Sequence, residues 1–188
     1  MMSWLMFNLT GFLLVLPVYF VSVEHTLLKE RFGEKRGEMI GDFLGYVSGW
    51  GMFLFMVGLW VSPQRVFMCP FQGFYFVALG IQLVSAFIGL LGLKELGLAV
   101  SETHRPDKVV TTGVYSRVRH PQYLAAIIAH IGFSVERSAL DSLLLTPLVV
   151  TVIYLICRKE EVELVKEFED EYLEYQKRVP MFFPGLRR

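Results

Sequence analysis

The sequence lacks an excess of charge of either sign: Lys and Arg number 18, Asp and Glu 18, so the formal net charge is zero. No global field therefore draws the chain to nucleic acid. Cysteine is nearly absent. Cys69 and Cys157 flank different apolar blocks, on opposite membrane faces in the topology derived below. That argues against a disulfide within the chain, and two distant cysteines make no metal site. No G-x-G-x-x-G loop stands between a strand and a helix pattern, so nothing marks a dinucleotide-binding unit. Internal repeats and low-complexity tracts are missing. No basic residue precedes the first apolar block, and no small-x-small site stands in front of Glu24. That block reads as a membrane-spanning start rather than a cleaved leader.

What the chain has in quantity is apolar sequence in long blocks. Hydrophobic residues make up 54% of its 188 positions, and the mean hydropathy is +0.48. Residues 4–23, 43–61 and 71–93 approach or exceed the roughly 20 needed to cross a bilayer core. Two shorter blocks follow, near 121–135 and 140–157. The former reaches only about 20 Å at 1.5 Å per residue, so it must extend into its flanks or pair with its neighbour as a hairpin. The expectation is an all-α integral membrane protein: one domain over residues 1–188, with about five transmembrane helices at these blocks. Lys and Arg number four in 24–42, one in 62–70, five in 94–121, one just after 135 and seven from 158 onward. The alternation places the N-terminus outside, and the 94–121 segment and the C-terminal stretch together on the cytoplasmic face. Gly41, Gly45 and Gly49, four residues apart, read as a helix-packing seam, with a glycine-lined ligand path as the alternative. Pro17, Pro63 and Pro147 are expected to kink or end helices.

The most polar run beside an apolar block is Gly113-Val114-Tyr115-Ser116-Arg117-Val118-Arg119-His120-Pro121-Gln122-Tyr123. Proline suits the first turn of a helix, where its missing N–H costs nothing, so Arg119 and His120 stand at a helix mouth. The backbone amides and dipole there suit an anion. The alternative is a basic turn against lipid headgroups. Upstream, His104, Arg105, Pro106 and Asp107 form a solvated turn. Val109-Val110-Thr111-Thr112 is β-branched and should be extended, and Gly113 permits a sharp turn after it. His130 falls inside an apolar helix, where an ionisable group is a functional candidate unless a neighbouring helix satisfies it.

Beyond Arg158, residues 161, 164, 165, 168, 172 and 175 share one face of a helix, which makes the C-terminal element amphipathic and cytoplasmic. Glu161 then points to the apolar side and needs a partner, while Glu160 is rotated about 100° away. Pro180 and Pro184 end the element, with Phe182 and Phe183 as interface anchors.

Gly113-x-Tyr115-x-x-x-Arg119-His120-Pro121-x-Tyr123, followed by Glu160-Glu161, Phe168, Glu171-Tyr172, Tyr175 and Val179-Pro180, resembles the isoprenylcysteine carboxyl methyltransferase family. It is similar in particular to the small prokaryotic members, which also have about five transmembrane helices. The resemblance spans roughly residues 109–184. It implies an S-adenosylmethionine-dependent methyltransferase without a Rossmann domain, acting at the cytoplasmic face on a lipid-like or prenylated acceptor amid membrane lipids. On that resemblance the cofactor-binding candidates are Val110, Gly113, Tyr115, His120, Pro121, Tyr123, Glu160 and Glu161, and the catalytic candidates Arg119 and His120. A helix mouth with His120 and Tyr123 suits the cofactor's carboxylate, Glu161 its ammonium or ribose, and Arg119 an acceptor carboxylate. An amine acceptor would need a base, with His120, His130 or a glutamate as candidates.

The sequence departs from the family pattern at three positions. Ala125 replaces a glycine common after Pro-x-Tyr, Glu169 the glycine usual after Phe168, and Met181 an arginine frequent after Val-Pro. Three other readings compete: a phospholipid amine N-methyltransferase, a sterol-reductase-like enzyme with a similar C-terminal half that uses NADPH, and a non-enzymatic membrane protein that kept the fold. A prenylated cysteine, a phospholipid amine and a small isoprenoid or thiol are all open as acceptors.

Overall fold

The computed structural model of the protein describes residues 2–67, 73–96 and 108–183. Cys69, the turn at His104, Arg105, Pro106 and Asp107, and Pro184 lie outside the described residues. The helices are α1 (Met2–Val23), α2 (His25–Phe32), α3 (Glu34–Val61), α4 (Gly73–Leu96), α5 (Pro121–Glu136), α6 (Leu140–Leu144) and α7 (Thr146–Arg178), with a 3-10 turn over Gly113–Ser116 before α5. Apart from an isolated bridge between Val66 and Ala139, the described regular structure is all helical. Among the described residues, three helices are long and apolar enough to cross a membrane: Trp4–Val23, Glu34–Val61 and Phe74–Leu96.

Two elements run further than the apolar blocks. Helix α3 starts at Glu34, nine residues before the block that forms its apolar part. An acidic residue in the first turn favours that start, and Glu34 also pairs with Lys29 at 3.3 Å. The last apolar block and the charged C-terminal element form one helix of 33 residues, α7. No Gly or Pro lies between Pro147 and Pro180 to break it. Pairs such as Lys166 Nζ to Glu163 Oε1 (2.7 Å) support its charged half. Its one irregularity is Glu169, at φ 44° and ψ −122°. Pro17 lies inside α1, Pro63 follows the end of α3, and Pro147 starts α7 rather than ending a helix.

Packing follows the small residues. Helix α1 lies on α3, with Gly11 under the Phe55 ring and Gly58 against Asn8. Helix α2 folds back onto α3, where a Cβ on Gly37 would sit 2.5 Å from the Leu28 backbone and one on Gly41 3.0 Å from His25 Nδ1. Helices α4 and α5 pair, and α7 contacts both α1 and α5, its Val149, Val152 and Ile153 joining Leu59 and Ile127 in the core. The expected seam therefore holds at Gly41 but not along its length. Gly45 lines a cavity, and a Cβ on Gly49 would meet nothing within 4 Å.

One end of the bundle is closed by polar contacts between the segment after α3 and the α5–α6 link. Arg65 Nε donates to Asp141 Oδ1 (2.7 Å), Leu140 N to Arg65 O (2.9 Å) and Ser142 N to Gln64 Oε1 (2.7 Å). His130 belongs to this set. Trp60 Nε1 donates to its Nδ1 at 2.9 Å, so the ring proton sits on Nε2, which faces Ser142 O at 3.2 Å. Fully buried and bonded on both nitrogens, His130 is held by its neighbours.

Candidate functional site

The opposite end of the bundle gathers the polar residues singled out from the sequence. The chain after residue 108 is irregular, with Thr112 extended at φ −97° and ψ 170°. Gly113 turns it at φ +55°, a left-handed conformation that favours glycine, and a Cβ there would push aside the Glu95 side chain. The 3-10 turn then buries Tyr115, whose carbonyl accepts from Tyr175 Oη at 2.6 Å. Helix α5 opens with Pro121 in its first turn. His120 is its N-cap and makes no side-chain capping bond.

Arg119 and His120 are fixed by the segment after α7. Arg119 N donates to Pro180 O (3.0 Å) and His120 N to Met181 O (3.2 Å). The Arg119 side chain continues the clamp: Nε donates to Glu161 Oε1 at 2.7 Å, and Nη1 to Gln176 O at 3.2 Å and also to Val179 O. Glu161, 2% exposed, accepts in addition from Gln176 Nε2 (3.0 Å) and from His120 Nε2 (3.1 Å). Burial alone would raise its pKa. The hydrogen bonds from His120 and Arg119 outweigh burial and hold the carboxyl below its usual range. An ionised carboxylate only accepts, so the proton of a neutral His120 sits on Nε2, and Nδ1 lies 3.7 Å from Glu160 Oε2.

Glu160 takes a different set of partners. Its Oε1 accepts from the hydroxyls of Tyr19 on α1 and Tyr123 on α5, which are themselves 2.8 Å apart. The turn of about 100° between adjacent helical residues thus separates the two carboxylates by role. Glu161 faces the Arg119 clamp, and Glu160 faces a cavity of about 750 Å³.

Of the residues singled out from sequence, Val110, Tyr115, Arg119, His120, Pro121, Tyr123 and Glu160 line that cavity. Gly113 shapes the approach to it, and Glu161 lies behind Arg119 and His120. The apolar face of the C-terminal half of α7 does not need a membrane surface to cover it. Tyr172, Tyr175 and Val179 pack with Val109, Leu164 and Phe168, and Leu164, Phe168, Tyr172 and Tyr175 line the cavity. Phe182 packs on the core with its ring 6.3 Å from that of His120, while Phe183 is exposed.

Sequence reasoning missed Tyr19 and Gln176, and it raised the α3 wall of the cavity only as the glycine-lined alternative to a packing seam. A tyrosine in an apolar span, needing a partner for its hydroxyl, was the one available signal. Glu163 was missed too: it is 1% exposed, with Oε1 on Lys166 and no hydrogen-bond partner for Oε2.

The donor set suits the amino-acid end of S-adenosylmethionine. The α5 mouth lacks a side-chain cap and offers amides to a carboxylate, and Glu160 offers a carboxylate to an ammonium. Sites for one drug-sized ligand begin at about 300 Å³, so the cavity has room for a cofactor and an acceptor together.

The family model for phospholipid methyltransferases matches residues 68–171. Mouse protein-S-isoprenylcysteine O-methyltransferase is 28% identical over 150 residues, which cover 75% of this chain and 50% of that protein. The Schizosaccharomyces pombe protein of the same name is 32% identical over 110 residues, 58% of this chain and 47% of its own. Methanethiol S-methyltransferase of Pseudomonas deceptionensis is 30% identical over 140 residues, 69% of this chain and 51% of its own. The chain spans about half the length of the curated relatives it matches.

Proposed function

The chain belongs to the phospholipid methyltransferase family, and from that premise we propose that it transfers a methyl group from S-adenosylmethionine to a lipid-like acceptor at one membrane face. The observation that carries this reading is the shared cavity. Residues of both sequence motifs line its polar end, and an apolar extension between helices continues from it.

The cofactor brings an activated methyl on a sulfonium, so the protein's task is alignment. The amides at the α5 mouth hold the carboxylate end. Glu160, positioned by Tyr19 and Tyr123, holds the ammonium. Arg119 is a positioning residue: it ties Glu161, Gln176 and Val179 together and so fixes His120. An acceptor carboxylate, with pKa near 4, is ionised and needs no base. An amine or thiol acceptor must lose a proton, and His120 Nδ1, on the Glu160 side of a ring anchored by Glu161, is the group placed to take it.

Calorimetry in detergent with S-adenosylhomocysteine against NADPH tests the cofactor. Binding of the first and not the second is expected, and the reverse would replace the reading with a reductase. Radiolabelled methyl transfer into a lipid extract, followed by base treatment, then separates esters from amines.

A further inference from the structure

We infer that the glycine face of α3 seats the apolar chain of the acceptor, with Gly49 setting how bulky a chain is admitted. This deepens the methyl-transfer reading and rests on it. The cavity does not end at the polar groups. It follows α3 from Gly45 to Met56, lined by Tyr46, Gly49, Trp50, Met52 and Phe53. The eleven helical steps from Gly45 to Met56 correspond to about 16 Å. No charged side chain lines this stretch of α3, and Phe12, Ala126, Ile153 and Ile156 face it from α1, α5 and α7.

A cofactor with a charged amino-acid end, a ribose and an adenine has no use for such a trough. A methanethiol-sized acceptor would leave it unfilled. A long hydrocarbon chain fits both its length and its lining, because burying each CH2 is favourable by about 0.8 kcal/mol. The chain's reactive head then lies at the His120 and Glu160 end. Helical glycines at this spacing usually admit a neighbouring backbone. At Gly37 and Gly41 one is present. At Gly49 the space above the Cα is open, with Trp50 and Tyr46, each about half exposed, beside it. Ala126 and Gln122 of α5 border both this cavity and a shallow groove of small residues between α4 and α5.

The test uses the full chain in detergent and N-acetyl-S-farnesylcysteine carrying a diazirine at the tail end. Photolysis of the wild type should label the peptide containing residues 43–56. Gly49→Phe should cut that labelling at least tenfold and leave S-adenosylhomocysteine affinity within about threefold of wild type. Gly49→Ala, whose Cβ meets open space, guards against misfolding and should retain most of the labelling. The farnesyl probe should also compete better than its isopentenyl analogue in the wild type and lose that advantage in Gly49→Phe. Labelling confined to other helices, or undiminished in a folded Gly49→Phe, would overturn the inference. If wild type fails to bind S-adenosylhomocysteine, the methyl-transfer reading fails, and the labelling pattern still decides the trough.

Discussion

At the scale of single residues, the two adjacent glutamates separate most clearly. Glu160 lines the cavity, so Glu160→Gln should weaken S-adenosylhomocysteine binding about ten- to hundred-fold, the loss of a charge-assisted bond worth roughly 1.5–3 kcal/mol. Glu161→Gln should instead lower the thermal midpoint, because it removes the negative charge that Arg119 and His120 share and replaces one accepting oxygen with an amide donor. Titration calorimetry and melting curves on both variants give the answer. The pH dependence follows from the sign of the Glu161 shift. Its folded pKa is depressed, so its contribution to stability is present above the unfolded carboxyl value, roughly 4.3, and is lost as pH falls through the lower folded value. The gap in melting temperature between wild type and Glu161→Gln should therefore close below about pH 4. A third residue, Glu169, holds a backbone conformation at φ 44° that side chains resist, and it is exposed. Such strain costs about 1–3 kcal/mol, and a glycine gives back part of the gain through its unfolded-state freedom. Glu169→Gly should then stabilise the protein by about 1 kcal/mol net, and Glu169→Ala should not. Equal stabilities for the two would remove the strain.

At the scale of elements, the contacts of His130 and its neighbours tie α3, α5 and α6 together away from the reaction end. Trp60→Phe leaves a buried ring nitrogen of His130 without its donor, and should cost about 1–3 kcal/mol with cofactor affinity unchanged. Arg65 and Asp141 pair at a more exposed place, where the Arg65 side chain is 72% accessible. Asp141→Ala should therefore cost under about 1 kcal/mol. Both are read from melting curves in detergent. The sequence announced α5 through Pro121 and the turn through Gly113, since each is a residue whose backbone chemistry admits few alternatives. It did not announce that α7 is one helix. A change in composition from apolar to charged marks a change of surroundings, and both kinds of residue can be helical. Nor did it tell a packing glycine from an open one: Gly41 and Gly49 are identical in spacing and differ only in what lies across from them.

At the scale of the whole molecule, sequence reasoning reached the apolar helices and the meeting of the Arg-His-Pro segment with the Glu-Glu pair, because both motifs sit at ends of apolar blocks. Tyr19 was out of its reach, and the α3 wall was legible only as the alternative to a packing seam, since which helix stands across a cavity is set by tertiary packing. The Lys/Arg count adds an orientation. In a chain relieved of Cys69 and Cys157, single cysteines at Lys108 and Lys177 should label from the cytoplasmic side, and those at Arg65 and Arg137 from outside. Labelling of Lys108 and Lys177 positions from different sides would break the topology and the site together. The backbone bonds from Arg119 and His120 to Pro180 and Met181 also put a clock on biosynthesis. About 60 residues separate the partners, and ribosomes add roughly 5–20 residues per second. For some seconds after the Arg-His-Pro segment is made, its guanidinium and imidazole wait without the carbonyls and the carboxylate that will enclose them. On the methyl-transfer reading, cofactor binding must wait for the end of that delay, so a ribosome stalled between the two motifs holds Arg119 and His120 without the groups that position them.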